Sequence, residues 1–198
     1  MAETGKVYPV DSLIGRAVVS RATANKIGQI HDLIIEPIEG GLAGLSVKMT
    51  DQSPRYVEFS EIYSIGPDAI MINNDRSALA PENSPLKESP LAMNTVVGAE
   101  VITEGGKVLG QIANVFIHLV ETPVMVYEAR SSLLDKILGH ALFFLASKGY
   151  AFSKGDARLV VENDTAEKAF NTLEALAAAH FGTPKEDDPV VIVRSRGY

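Results

Sequence analysis

LIGRAVVSRATANKIGQIHDLIIEP, residues 13–37, has a second copy of its pattern in VVGAEVITEGGKVLGQIANVFIHL, residues 96–119. With a one-residue gap in the first turn, the apolar positions and the glycines of the two stretches align. The alignment continues from GPDAIMI, residues 66–72, to KGDARLVV, residues 154–161. The chain therefore contains an internal repeat, and the matching residues determine shape rather than chemistry.

Each repeat has the pattern of a series of short strands. The first repeat contains runs of β-branched and aromatic residues that are separated by turn signals. In LAGLSVKM, the alternate positions Leu45, Val47 and Met49 are apolar, which is the period of a strand with one buried face. An open sheet of such strands buries little surface, whereas closure removes the exposed edges. We therefore predict a mainly β fold, with two small β-barrels in tandem, a short inserted helix in the second repeat and a C-terminal α-helix.

Turn residues recur at matching positions of the two repeats. Glycine adopts backbone conformations that other residues resist, and aspartate is typical of turns. The residues predicted to form fold-defining turns are Gly15, Gly28, Gly66 and Asp68 in the first repeat and Gly98, Gly110, Gly155 and Asp156 in the second. We expect each pair to hold the same bend in its own barrel.

The first repeat resembles a known family. Residues 13–49, followed by YVEFSEIYSIGPDAIMI at 56–72, are similar to the PRC-barrel domain, which is named after the cytoplasmic domain of the photosynthetic reaction centre H subunit. The resemblance covers residues 11–74, and the second repeat carries it in VVGAEVIT, VLGQIANVFIHL and GDARLVV. It implies a tandem PRC-barrel protein. In this family the barrels dock onto larger assemblies, and the family offers no catalytic residues to transfer.

The repeats and the segments outside them divide the chain. The predicted parts are a first barrel at 11–76, a proline-rich extended linker at 77–94, a second barrel at 95–163 with an inserted segment at 131–146, a helix at 164–182, and a tail at 183–198 with a terminal strand. The linker is predicted to be extended and semi-rigid.

The inserted segment is the first place where function is expected, because the first repeat lacks it. Ser132 and Asp135 have the spacing of a helix capping box. The apolar residues at helical spacing are Leu133, Leu134, Ile137, Leu138 and Leu142. This amphipathic face has three alternative uses, namely a lid over the second barrel, a docking surface for a partner protein, or a contact with a membrane surface.

The segment DTAEKAFNTLEALAAAHFG, residues 164–182, is predicted to form one helix. Asp164 and Glu167 give a start signal, and Gly182 gives a stop signal. The apolar stripe of this helix consists of Ala166, Phe170, Leu173, Ala177 and Phe181. We expect the helix to pack across a barrel.

Composition limits the classes of function. The net charge of −7, with acidic residues in excess in both halves, argues against direct nucleic-acid binding. The absence of cysteine excludes disulfides, thiolate metal sites and cysteine nucleophiles. No signal peptide or spanning segment is recognisable. The sequence therefore predicts a cytoplasmic protein, with a peripheral membrane association as the alternative.

Candidate catalytic residues are few. His31, Asp32 and Glu36 follow the IGQI motif in one predicted strand, and they would have to line a pocket in an enzyme. The second repeat has Ala113 and Asn114 at the places of the first two. His118, His140 and His180 lack the close spacing of metal ligands, so neither a metal nor another cofactor is expected.

These observations predict a protein without catalytic activity, which acts as an adaptor or an assembly-associated scaffold and docks onto a larger protein complex. One alternative is a peripheral membrane or photosynthesis-related factor that docks through residues 131–146. A second alternative is a ribosome or RNA-processing accessory factor that acts through protein contacts. The expected partner is a protein, and self-association stays open.

Overall fold

The computed structural model describes residues 6–36, 41–87, 91–119, 123–131, 141–147, 149–153, 155–182 and 191–192. The strands in these ranges are β1 (Val7–Pro9), β2 (Ala17–Ser20), β3 (Lys26–Glu36), β4 (Gly41–Met49), β5 (Pro54–Glu58), β6 (Ile62–Ile65), β7 (Ala69–Ile72), β8 (Ala78–Leu79), β9 (Leu91–Ala92), β10 (Glu100–Thr103), β11 (Val108–His118), β12 (Val124–Arg130), β13 (Leu142–Leu145), β14 (Ala151–Ser153), β15 (Arg158–Val161) and β16 (Val191–Ile192). The α-helices in the same ranges are α1 (Met93–Val96), α2 (Thr165–Lys168) and α3 (Leu173–His180).

The strands form two sheets, which confirms the predicted mainly β fold. The first sheet has the order β16-β6-β7-β2-β3-β4-β5-β8, and the second has the order β13-β12-β11-β10-β15-β14. Strand alternation places apolar side chains inside, as Leu45 and Val47 show by being fully buried. The predicted C-terminal helix is also present, as α3.

The two sheets repeat the same strand pairing. The series β6-β7-β2-β3-β4-β5 of the first sheet corresponds to β14-β15-β10-β11-β12-β13 of the second. The parallel pair recurs too, because β2 pairs with β7 and β10 pairs with β15. A β-bulge follows in each long strand, where His31 and Ala113 are the extra residues. The internal repeat of the sequence is therefore a repeat of strand pairing and of irregularities.

A short arm before each repeat pairs with the sheet of the other repeat. Strand β1 lies along β11, with Tyr8 opposite Ile117. Strand β9 lies along β3, with Leu91 opposite Ile35. A short helical turn follows each arm strand, at Val10–Ser12 and in α1, and Val10 and Met93 at their starts are buried. The buried apolar residues of both repeats form one continuous core.

Residues 77–94 differ from the extended linker that the sequence predicts. Strand β8 pairs with β5, and Tyr56 lies opposite Leu79. Strand β9 belongs to the first sheet through β3. Two single turns of 3₁₀ helix, Pro81–Asn83 and Pro85–Lys87, lie between β8 and β9. Both ends of the segment are therefore tied to the first sheet by backbone pairing.

Gly28 and Gly110 do not lie in turns, so the turn prediction is wrong for these two residues. Each is the third residue of a long strand, and it lies opposite Val18 or Val101 just before a register shift. A Cβ atom on Gly28 would lie 2.3 Å from the carbonyl oxygen of Lys48, and one on Gly110 would lie 2.3 Å from that of Arg130. Glycine is required because the adjacent strand approaches too closely for a side chain.

The other predicted turn residues lie between secondary-structure elements. Gly15 and Gly98 have φ angles of 81° and 89°, and each precedes the first strand of its repeat. The Gly66 amide donates to the Ala69 carbonyl across the β6–β7 connection, which also contains Asp68. Gly155 and Asp156 lie in the matching β14–β15 turn. These residues therefore lie in turns or connections, and their fold-defining role stays a prediction.

The predicted 164–182 helix is interrupted in the middle. The backbone of Phe170 forms two hydrogen bonds with that of Phe143 in β13, with N to O distances of 2.8 and 2.9 Å. This bridge holds Phe170 in an extended conformation, so α2 ends at Lys168 and α3 begins at Leu173. A tertiary backbone pairing therefore overrides the local helix propensity of the segment.

Candidate docking surface

An apolar groove lies between β13 of the second repeat and the helices α2 and α3, which follow that repeat in the chain. Its volume is about 200 Å³. The residues that line it are Phe144, Leu145, Ser147, Tyr150, Glu162, Thr165, Lys168, Phe170, Leu176 and His180. We refer to this set as the groove. The first repeat has β8 at the place where the second repeat has the bridge at Phe170, between α2 and α3.

The floor of the groove is aromatic and aliphatic. Phe144, Tyr150 and Leu176 are buried. The rings of Phe144 and Tyr150 meet edge to face, with their centroids 6.1 Å apart. The Tyr150 hydroxyl lies 3.4 Å from the Thr165 hydroxyl, and burial raises the pKa of Tyr150. The tyrosine is therefore neutral at physiological pH, and the floor carries no charge.

The rim of the groove carries charges that are already paired. Lys168 Nζ lies 2.8 Å from Asp164 Oδ2 and 3.8 Å from Glu162 Oε2. The hydrogen bond to Asp164 raises the pKa of Lys168. All three side chains are well exposed, so this network contributes little to stability. His180 forms another part of the rim.

A second apolar cluster supports the groove from below. Leu176 and Val126 are fully buried in it, and Phe170 and Leu173 pack against them. The His118 ring stacks on Phe181 with a centroid distance of 3.9 Å. The helix α3 is therefore fixed to the sheet by its buried face. Its packing explains why its apolar stripe points inward rather than to solvent.

Of the five predicted docking residues, the structure describes one. Leu133, Leu134, Ile137 and Leu138 lie outside the described residues. Leu142 is described, and the helical prediction is wrong for it because it is the first residue of β13, opposite Ala129. It is half-buried and packs against the main core. The groove begins two residues further on, at Phe144 and Leu145.

The sequence signals for the groove were incomplete. The sequence places Phe170 in a helical stripe. Tyr150, Thr165 and Lys168 were not identified, because each is an ordinary residue of a turn or helix when its neighbours in space are unknown. Two signals are available in the sequence. The inserted segment 131–146 contains Phe144 and Leu145, and residues 164–182 follow the second repeat without a counterpart in the first.

A larger cavity of about 320 Å³ lies where the two arms meet. It is lined by Pro9, Val10, Asp11, Met93, Asn94, Val97, Ala113, Asn114, Val115 and Phe116. Asn114 turns toward the buried Glu128, which also accepts from Arg130 Nε at 2.6 Å. The polar groups of this wall are therefore engaged with one another across β11 and β12.

The three candidate catalytic residues have separate environments. His31 is exposed at the bulge of β3, Asp32 is buried, and Glu36 is half-buried at the end of the strand. Asp32 accepts hydrogen bonds from the backbone amides of Leu33, Met93 and Asn94. Its carboxylate therefore ties β3 to the start of α1, which is a structural role.

Burial raises the pKa of Asp32 above its ordinary value of 3.8, and this shift leads to a prediction. The native state holds the Asp32 proton to a higher pH than the unfolded state does. The free energy of unfolding should therefore fall as the pH rises from about 4 through the raised pKa. In Asp32→Asn this part of the pH dependence should disappear, and the second repeat already has Asn114 at the equivalent position. Urea unfolding at a series of pH values measures it. Identical pH dependence in both proteins would contradict the prediction.

Two further classes of site are absent from the part of the chain that the structure describes. No group of three or more His, Asp or Glu side chains there is placed to hold a metal ion. His118 and His180 lie there among aromatic rings, and His140 is outside the described residues. No helix there has the length and apolar character needed to cross a membrane.

The family comparison concerns the first repeat. Residues 5–79 match the family model of the PRC-barrel domain. The matched region runs from the first arm to β8, and it contains the whole series β2–β8 of the first sheet. Residues 5–79 are therefore a PRC-barrel domain, and such domains are generally protein-interaction modules. No curated protein matches the chain.

Proposed function

We propose that this chain is a cytoplasmic adaptor without catalytic activity, which docks onto a larger protein complex through the groove. The second repeat serves in this proposal as a second PRC-barrel domain. Its strand order, its parallel pair and its β-bulge match those of the first repeat and support this assignment. The two repeats together then form a rigid platform that presents the groove.

The observation that carries the proposal is the composition of the groove. Its apolar floor is bordered by the exposed side chains of Lys168 and Glu162. An apolar centre within a polar rim is the usual arrangement of a protein-binding surface. Aromatic residues at the centre, such as Phe144 and Tyr150, are of the type that contributes most to binding energy. The groove is shallow and small, which suits one inserted side chain of a partner.

The proposal predicts that a charge in the groove removes partner binding. Leu145→Asp, a half-buried position in β13, should reduce the amount of co-purified partner at least tenfold, because an uncompensated carboxylate would have to be desolvated in the interface. The measurement is quantitative co-purification with the tagged full chain, after circular dichroism has shown that the variant is folded.

The matched control is Val108→Asp. Val108 is 54% exposed in β11, so the same aliphatic-to-acid change there should leave binding unchanged. Equal loss of partner in both variants would point to a general effect of charge and would contradict docking through the groove. Turnover in a broad substrate screen, together with no stable partner, would overturn the adaptor function itself.

A further inference from the structure

The strand pairings of the two repeats correspond one to one, with a single difference among the described residues. On one side of each sheet, the last strand of the repeat pairs with the segment that follows the repeat in the chain. In the first repeat β5 receives β8, and in the second β13 receives Phe170. The arms correspond as well, since β9 on β3 matches β1 on β11. The difference lies at the opposite edges, β6 and β14.

The edge of β6 is covered by β16, whereas no strand among the described residues covers the edge of β14. Strand β16 lies antiparallel to β6, with Val191 opposite Ile65 and Ile192 opposite Ser64. Ile65 and Ser64 are buried. In β14, by contrast, Ala151 and Ser153 are exposed, and Phe152 is half-buried. The pairing of β16 with β6 therefore shows that an antiparallel strand of apolar β-branched residues covers this edge in the first repeat.

The equivalence of β6 and β14 can be stated residue by residue. Ile65 lies opposite Ile70 in β7, and Phe152 lies opposite Leu159 in β15. Ile70 and Leu159 are equivalent because each pairs in parallel with the second residue of its repeat's first strand. Phe152 is thus the counterpart of Ile65, and Ala151 is the counterpart of Ser64. A strand on β14 in the β16 register would place an apolar residue opposite Phe152.

We infer that the exposed edge of β14 accepts an extended strand of the partner protein, with apolar β-branched residues like Val191 and Ile192. This inference rests on the proposed function and names a second contact with the same partner. Backbone hydrogen bonds along the edge supply affinity, and Phe152 favours a β-branched or aromatic residue opposite it. The small side chains of Ala151 and Ser153 leave the edge accessible. Among the described residues, the last strand, β16, is already paired with β6, so we assign the incoming strand to the partner.

A peptide probe tests this edge directly. The probe is a fluorescent peptide with the chain's own sequence DPVVIVRSR, residues 188–196. The full chain should bind one peptide, because β16 covers β6. A chain that ends at residue 186 should bind two, because both edges are then open. One peptide on the shortened chain and none on the full chain would overturn the inference, since the peptide would then bind only at β6.

N-methylation of the peptide distinguishes strand pairing from nonspecific apolar binding. Methyl groups on two alternate peptide nitrogens that face β14 should weaken binding at least tenfold, whereas methylation of the two intervening nitrogens should leave it within about twofold. Equal effects of the two patterns would contradict strand addition. On the protein, Ala151→Pro and Phe152→Pro each remove one backbone amide of β14. Only one of these two amides points to the open edge, and the proline variant that removes it should weaken binding. The control Ala151→Ser keeps both amides and should not weaken binding.

The experiments can reject the β14 inference without rejecting the adaptor function, and they can show whether the strand comes from a partner or from a second copy. If the partner co-purifies equally with the weakening proline variant and is lost only with Leu145→Asp, the β14 inference fails while the adaptor function stands. If no partner is retained by any form, the adaptor function fails. A dimer of the full chain that disappears when residues 187–198 are removed would overturn the inference, because the strand would then come from a second copy.

Discussion

Replacement of Gly110 by alanine is expected to lower the free energy of unfolding by about 3 kcal/mol or more. Two effects combine at this residue. Its φ angle of 139° is one that residues with a side chain rarely adopt, and the new Cβ would lie 2.3 Å from the Arg130 carbonyl oxygen. The contacting atom belongs to the backbone, so relief of the clash requires β11 and β12 to separate. Urea unfolding followed by circular dichroism measures the loss.

The counterpart Gly28→Ala should cost about 2 kcal/mol or more, because it has the carbonyl contact with Lys48 without the unusual φ angle. Gly41→Ala is the matched control. Gly41 is the first residue of strand β4, and a Cβ atom there would have no other atom within 4 Å. Its unfolding free energy should stay within about 0.5 kcal/mol of the parent chain. If all three variants lose the same stability, the close approach of adjacent strands is not the reason for glycine at these positions.

The same two glycines show what can be read from one sequence. Their recurrence in KIGQI and VLGQI identified the repeat, because equal shape requires equal residues at restricted positions. Their location in strands could not be read, since a glycine needed for a turn and one needed for close strand contact look alike in sequence. The strands themselves were predictable, because alternation such as that of Leu45 and Val47 is a local property.

The pairing of segments that are distant in the chain could not be predicted from the local sequence pattern. Phe170 has the spacing of a helical stripe, and only its hydrogen bonds to Phe143 exclude the helix at that point. Leu142 likewise follows a helical pattern, but it pairs with Ala129. In each case the competing pairing involves a partner 13 or more positions away in sequence, which no local pattern reveals. The groove is formed by these pairings, so its lining was predictable only in part.

The arms present the same problem with a larger consequence. Tyr8 and Leu91 precede their repeats by equivalent distances; Leu91 falls in the predicted linker, and no predicted part of the chain includes Tyr8. Instead each joins the sheet of the other repeat. Exchange of this kind makes the two repeats depend on one another. We therefore expect the two repeats to unfold together as one cooperative unit, and not as two independent domains joined by a linker.

Cleavage of the chain between the repeats is therefore expected to leave the halves together. A protease site placed within residues 88–90 produces one fragment with β1–β8 and one with β9–β16. The first fragment supplies β1 to the second sheet, and the second fragment supplies β9 and β16 to the first sheet. Val10 and Met93 are buried in the shared core, at 2% and 4% exposure. The fragments should co-elute in gel filtration at micromolar concentration and separate only in denaturant.

Each fragment alone is expected to lose most of its β signal in circular dichroism, and mixing should restore it, because each isolated sheet exposes the apolar surface that the other's arm covers. Val10→Asp in the first fragment should prevent reassociation, since the carboxylate would have to enter the core without a partner. Ile14→Asp is the matched control, because Ile14 is 40% exposed and should tolerate the charge. Two fragments that elute separately, each with a native sheet spectrum, would show that the repeats fold independently and that the arm exchange contributes little to the stability of the chain.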